Sequence, residues 1–249
     1  MNFPPSTTSS SCQFPSSGEV PAPAGGVVFQ VSKSKNMKLP HESIQMSYDY
    51  QAVISHLVRN GEKVLGKKFQ IPESERGIIF RILAWFLEDG PVAEKMEIDL
   101  GKGILLSGPI GCGKTTLFNL MQSFPTKRKN FRIISTRQVV SEFMQSGYEI
   151  LEKYSRGNVS HDVRSPKSYC FDDLGTETTS KYFGNDCNVM AEILLTRYDL
   201  FKEKGVITHI TTNLSATEIE SQYGNRLRSR MREMFNLFGY EETSEDKRR

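Results

Sequence analysis

The sequence predicts an α/β fold built on a parallel five-stranded sheet, and three observations predict it. From Gly101 onward, short apolar runs alternate with helical stretches, the pattern of strand–helix units. The first of those runs ends in a glycine-rich turn that leads straight into a helix. A later run, Ser168-Tyr169-Cys170-Phe171, ends in two adjacent acids, Asp172 and Asp173.

The strands are expected at Ile104–Ser107, Phe131–Ser135, Ser168–Phe171, Val206–Thr211 and Met234–Phe238. Helices are expected near 114–122, 137–145, 188–203 and 215–222. Ahead of this domain, set at residues 100–240, residues 41–99 read as a small helical region open to partner binding. Tyr50, Val53, Ile54, Leu57 and Val58 fall at helical spacing, with an end at Gly61. Pro72 marks a second helix start, with Glu73 and Glu75 in the first turn, where the helix dipole favours acids. Its stripe of Ile78, Ile79, Ile82, Leu83, Trp85 and Phe86 reads as core and stops at Gly90-Pro91. Residues 1–40 are rich in Ser, Pro, Thr and Gly and close on Lys33, Lys35 and Lys38. They cannot bury enough apolar surface to offset the entropy of ordering, so a disordered tail is expected. Residues 241–249 read as a short charged tail.

Composition excludes several classes. The net charge is +3, from 32 basic and 29 acidic residues, so bulk charge gives no argument for nucleic acid. Cys12, Cys112, Cys170 and Cys187 have no zinc spacing, and Cys112 and Cys170 read as reduced core residues. No apolar run is long enough for a membrane span, and no secretory leader is visible, so a cytoplasmic location is expected.

The chemistry concentrates where the strand Ile104-Leu105-Leu106-Ser107 enters Gly108-Pro109-Ile110-Gly111-Cys112-Gly113-Lys114-Thr115-Thr116. This is a GxxxxGKT phosphate loop in its required context of strand, glycine turn and helix. Glycines let the backbone close around phosphate oxygens, and loop amides with a helix N-terminus supply positive potential. ATP with Mg²⁺ is the expected cofactor pair. Lys114 is expected to reach the β- and γ-phosphates, and Thr115 to ligate Mg²⁺. Asp172 is expected to hold Mg²⁺ with Thr115, and Asp173 to orient the attacking water or take its proton. Asn213, at the next strand tip, is placed to sense the γ-phosphate or hold that water; a helix cap or turn is the other reading.

The segments GILLSGPIGCGKTTL, YCFDDLGTE and HITTNLSATEIESQYGNRLRSRM, with the spacing between them, resemble the DnaC/IstB branch of AAA+ ATPases. That branch holds replicative helicase loaders and transposition helper ATPases. The resemblance implies a P-loop NTPase of AAA+ type with a reduced or absent lid. It matches Asn213 to sensor 1, Arg230 to the arginine finger and Arg226 to the other arginine of the same box. A finger acts on a neighbour's phosphates, so self-assembly is implied. A solvated helix face is the alternative for these arginines. No sensor 2 arginine is identified.

Lys127, Arg128, Lys129, Arg132 and Arg137, then Lys153, Arg156, Arg164 and Lys167, form a basic stretch, with Phe143, Tyr148 and Tyr154 interleaved. In the family this region touches DNA, single-stranded in a loader, so DNA is an expected partner and the aromatics candidate stacking groups. Solvated charge over core aromatics is the alternative. The expected function is therefore a DNA-associated ATPase partnering a replicative helicase, or else a transposase. A small-molecule kinase and a nonhydrolysing nucleotide-gated adaptor are the rivals from other classes.

Overall fold

The computed structural model describes residues 48–66, 69–124, 128, 130–157, 167–177, 180–182 and 185–248. The expected tail over 1–40 lies outside them, as do Lys127, Lys129 and Arg164. The elements run α1 (Tyr50–Leu65), α2 (Glu73–Phe86), α3 (Gly90–Lys95), β1 (Gly103–Ser107), α4 (Lys114–Met121), β2 (Phe131–Ser135), α5 (Thr136–Ser146) and α6 (Tyr148–Ser155). They continue with β3 (Ser168–Leu174), β4 (Ser180–Tyr182), β5 (Asn185–Cys187), α7 (Val189–Lys204), β6 (Thr208–Thr212), α8 (Ala216–Met234) and β7 (Phe235–Gly239).

The sheet order is β2-β3-β6-β1-β7, and each of its four pairings is parallel. The five-stranded parallel α/β fold read from the sequence is the one found. β1 sits between two later strands, so the chain leaves it for the far edge and returns. The carboxyl ends of the strands around that reversal are where an open α/β sheet places a ligand.

Alternation along each strand builds the two faces of the core. Ile104, Leu106 and Cys170 join α1 to α4 in one apolar cluster. Leu105, Tyr169, Phe171 and Ile210 join α5 to α8 in the other. His209 points into the first face among Trp85, Phe86, Phe118 and Phe131. The stripe on α2 is core as expected, with Ile79, Ile82, Leu83, Trp85 and Phe86 all buried.

Several boundaries differ from the sequence reading. Gly61 does not end α1; the helix runs to Leu65 and is closed by Gly66 in the left-handed conformation. Gly61 is there for contact, since a Cβ at that position would stand 2.4 Å from the Phe69 ring. Gly90-Pro91 does not merely stop α2 but opens α3, capped by the Asp89 side chain. β3 extends through Leu174, with a register shift between Phe171 and Leu174 that takes both acids into the strand. α8 continues to Met234, so Met234 ends that helix and does not begin β7. Gly224 interrupts α8 at φ 82°, ψ 157°. Helix α6 and the β4–β5 ribbon were not anticipated.

Candidate functional site

The glycine loop leaves β1, between β6 and the edge strand β7, and turns into α4, whose first residue is Lys114. Gly111 and Gly113 hold φ of 83° and 99°, a left-handed backbone that side chains disfavour. Lys114 is 5% exposed. Its ammonium donates to the carbonyls of Gly108 at 2.8 Å and Pro109 at 2.9 Å, and to Oδ1 of Asn213. Burial lowers its pKa, against the raising effect of nearby groups that include Asp173 and Asp172.

Thr115, the next residue, donates its hydroxyl to Asp172 at 2.9 Å from Oδ1 and 3.0 Å from Oδ2. Thr211, at 0% exposure, donates to Oδ1 of the same carboxylate at 2.7 Å. Burial raises the Asp172 pKa, and these two hydroxyls oppose the rise. The Thr211 hydroxyl also accepts the backbone N–H of Asp173 at 2.9 Å. The Asp173 carbonyl accepts from Thr136 at 3.0 Å and Thr176 at 2.8 Å. Asp173 itself, bound by these contacts, holds a φ of 56°, a left-handed value uncommon for a side-chain-bearing residue.

Asp173, Asn213, Lys114, Thr115 and Thr116 line one cleft of about 850 Å³ with Ile110, Gly111 and Gly113. That volume lies in the range of ligand sites. Leu65, Phe69, Ile71 and Pro72 make an apolar wall beside the glycine loop. Gly108 and Pro109 face Lys114 with their carbonyls, and the Cys112 thiol is buried beneath the loop with its pKa raised by that burial.

A Mg²⁺ ion fits the donor set. Among the described residues no cluster of three or more His, Cys, Asp or Glu forms a self-contained metal site. The hydroxyl and carboxylate of Thr115 and Asp172 lie 2.9 Å apart, near the ~3 Å that separates adjacent ligands of an octahedral ion with bonds of ~2.1 Å. A hard cation held by two protein oxygens keeps its other positions for water and phosphate.

The remaining sequence candidates fall elsewhere. Arg226 is exposed, and Arg230 lies with its guanidinium 4.7 Å from the Tyr198 ring centroid. Neither lines the cleft. Arg132, Arg137, Arg156 and Lys167 are exposed, as is Tyr148. Two of the candidate stacking aromatics are corrected: Phe143 and Tyr154 are 0% exposed, because the α5–α6 hairpin buries them against the sheet. Arg128 is stacked 4.1 Å over Trp85 and paired with Glu88 at 3.0 Å, and Lys153 pairs with Glu142 at 2.7 Å. Sequence reasoning missed Thr211 and Thr136, whose only signal is a hydroxyl at the carboxyl end of a strand bordering the acid pair. It also missed Tyr240, Glu75 and Lys247, which border the glycine loop from distant parts of the chain.

This is a P-loop α/β fold. No family model matches the sequence, and no curated protein matches it. Among solved structures, the DnaC helicase loader matches at 19% identity and TM-score 0.47, covering 70% of this chain and 93% of that one. A putative primosome component from Streptococcus pyogenes serotype M3 matches at 20% identity and TM-score 0.47, covering 70% and 83%. AMPPCP-bound DnaA from Aquifex aeolicus matches at 19% identity and TM-score 0.41, covering 70% and 49%.

Proposed function

We propose that this chain binds ATP with Mg²⁺ and hydrolyses it to ADP and phosphate, working as part of an assembly of copies. The observation that carries the reading is the convergence of Lys114, Thr115, Asp173 and Asn213, from three separate strand ends, on one cleft, with Asp172 bonded to Thr115 behind it. Lys114 exchanges its loop carbonyls and Asn213 for phosphate oxygens when nucleotide enters. Thr115 and Asp172 would hold Mg²⁺, which when bound offsets phosphate charge. Asp173 takes the proton of the attacking water as its oxygen bonds to the γ-phosphorus. The bond to the bridging oxygen breaks and its electron pair leaves with ADP. Released from Lys114, the Asn213 amide orients that water.

Arg226 and Arg230 lie outside their own cleft, which supports their use on a neighbouring copy. The motif resemblance supports action on DNA with a replicative helicase, as a loader does, or with a transposase. The exposed Arg132, Arg137, Arg156 and Lys167 supply cations for a DNA backbone. A nonhydrolysing adaptor would keep every binding contact and lack turnover.

The test is a fluorescent-ATP titration and a phosphate-release assay on the full chain. Binding that needs Lys114, and turnover that needs Asp173, is the expected result. Absence of nucleotide binding by the unsubstituted protein sinks the proposal; binding without turnover, with or without DNA, leaves the adaptor.

A further inference from the structure

The residues that follow β7 fold back over the glycine loop. The Tyr240 N–H donates to the Ser107 carbonyl at 2.9 Å, and its side chain packs on Gly108, where a Cβ would stand 2.7 Å from Tyr240 Cβ. Farther on, the Lys247 N–H donates to the Gly111 carbonyl at 3.1 Å. The Asp246 carboxylate presses on Gly111 so closely that a Cβ there would stand 2.1 Å from Oδ1. The Lys247 ammonium donates to the Cys112 carbonyl at 2.8 Å, pairs with Glu75, and lies 5.4 Å from the Tyr240 ring centroid. Glu75 belongs to α2 and is 3% exposed, so Lys247 supplies a cation to a buried carboxylate 172 positions away.

One residue, Lys247, thus staples residues 241–248 to two successive carbonyls of the glycine loop, through its backbone N–H and its ammonium, and to a helix outside that loop through Glu75. Thr243, Ser244, Lys247 and Arg248 line the same cleft as Lys114, Asp173 and Asn213. The cleft keeps about 850 Å³ with this strap in place, so the strap is a wall and not a plug.

We infer that residues 241–248 are a lid that retains nucleotide in the cleft, latched by Lys247 across Gly111, Cys112 and Glu75. The inference rests on the nucleotide reading above. A covered ligand leaves only when the cover opens, so the latch sets the release rate more than the rate of entry.

The experiment is a chase of bound fluorescent ADP, with Mg²⁺, from the full chain and from Lys247→Met and Glu75→Gln variants. Amide exchange of residues 243–248 is read on the nucleotide-free proteins. Each substitution is expected to speed release about tenfold, the size of losing hydrogen bonds to one charged group, with little change in association. Faster exchange at the Lys247 amide is expected to accompany it. Release unchanged in both variants overturns the lid, and so does faster association with unchanged release, which is the behaviour of a plug. Failure of the unsubstituted chain to take up ADP overturns the nucleotide site itself, and the exchange data still report whether the strap is latched.

Discussion

Lys114 and Asn213, 99 positions apart, are hydrogen-bonded to each other across the mouth of the phosphate loop. The bond ties the cation proposed to reach for phosphate to the amide at the tip of β6, so on the proposed reading incoming nucleotide separates them. Lys114→Ala is expected to weaken ATP binding at least about a hundredfold, as loss of charge-assisted bonds to phosphate implies. Asn213→Ala is expected to leave affinity within a few-fold and lower turnover about tenfold to a hundredfold. Fluorescent-nucleotide titration and phosphate release measure the two. Equal loss of binding in both variants would show that Asn213 serves only to seat the ligand.

Asp172 and Asp173 are neighbours with different surroundings, and their amides should separate their roles. Asp172→Asn is expected to raise the Mg²⁺ concentration needed for half-maximal turnover, because Thr115 loses the carboxylate beside it. Asp173→Asn is expected to keep ATP and Mg²⁺ binding and lower turnover by about two to four orders of magnitude. A Mg²⁺ titration of phosphate release distinguishes them; an unshifted Mg²⁺ midpoint in Asp172→Asn contradicts its assignment.

Arg230 rests on Tyr198 and away from its own cleft. Arg230→Ala is expected to preserve ATP affinity and lose about a thousandfold of assembly-dependent turnover. Mixing it with Asp173→Asn copies should restore part of that rate, since some mixed interfaces pair an intact cleft with an intact arginine. Mixtures no more active than either variant alone rule out action between copies.

His209 is wholly buried, and that burial, with the charges of Arg128 and Arg197, pushes its pKa down to about 3. A lowered histidine pKa means the unfolded chain binds a proton that the fold refuses. Its contribution is full above about pH 6.5 and is lost as pH falls toward 3. Between pH 7 and 5 this amounts to about 2 kcal/mol. His209→Gln is expected to remove that share of the pH dependence in urea unfolding while keeping an acceptor near the Ile104 amide. An unchanged pH slope would show that the imidazole is not kept neutral.

The glycine turn and the strand carrying the acid pair were legible because their signals are local: Gly111, Gly113, Lys114 and Thr115 are nearly consecutive in sequence, and Asp172 adjoins Asp173. What was illegible depends on partners far away in the chain. Gly61 reads as a helix end until Phe69 is seen against it. Arg197 on α7 drew no reading from the sequence, and it is 0% exposed with its donors on Thr208 and on the carbonyls of Tyr154, Ser155, Lys167 and Ile207. Phe143 and Tyr154 interleave with basic residues as stacking groups do, and the fold turns them inward. Nothing near Lys247 in sequence announces Glu75 or Cys112.

The break at Gly224 makes α8 two levers on one pivot. The first carries Tyr223, whose hydroxyl is bonded to Glu177, which in turn takes the Gly175 amide just past Asp173 and Leu174. The second carries Arg226 and Arg230 and runs directly into β7, which lies beside β1 along its whole length. One lever is therefore referenced to the acid pair and the other to the strand that enters the glycine loop. A left-handed residue with open space around it is the joint between them.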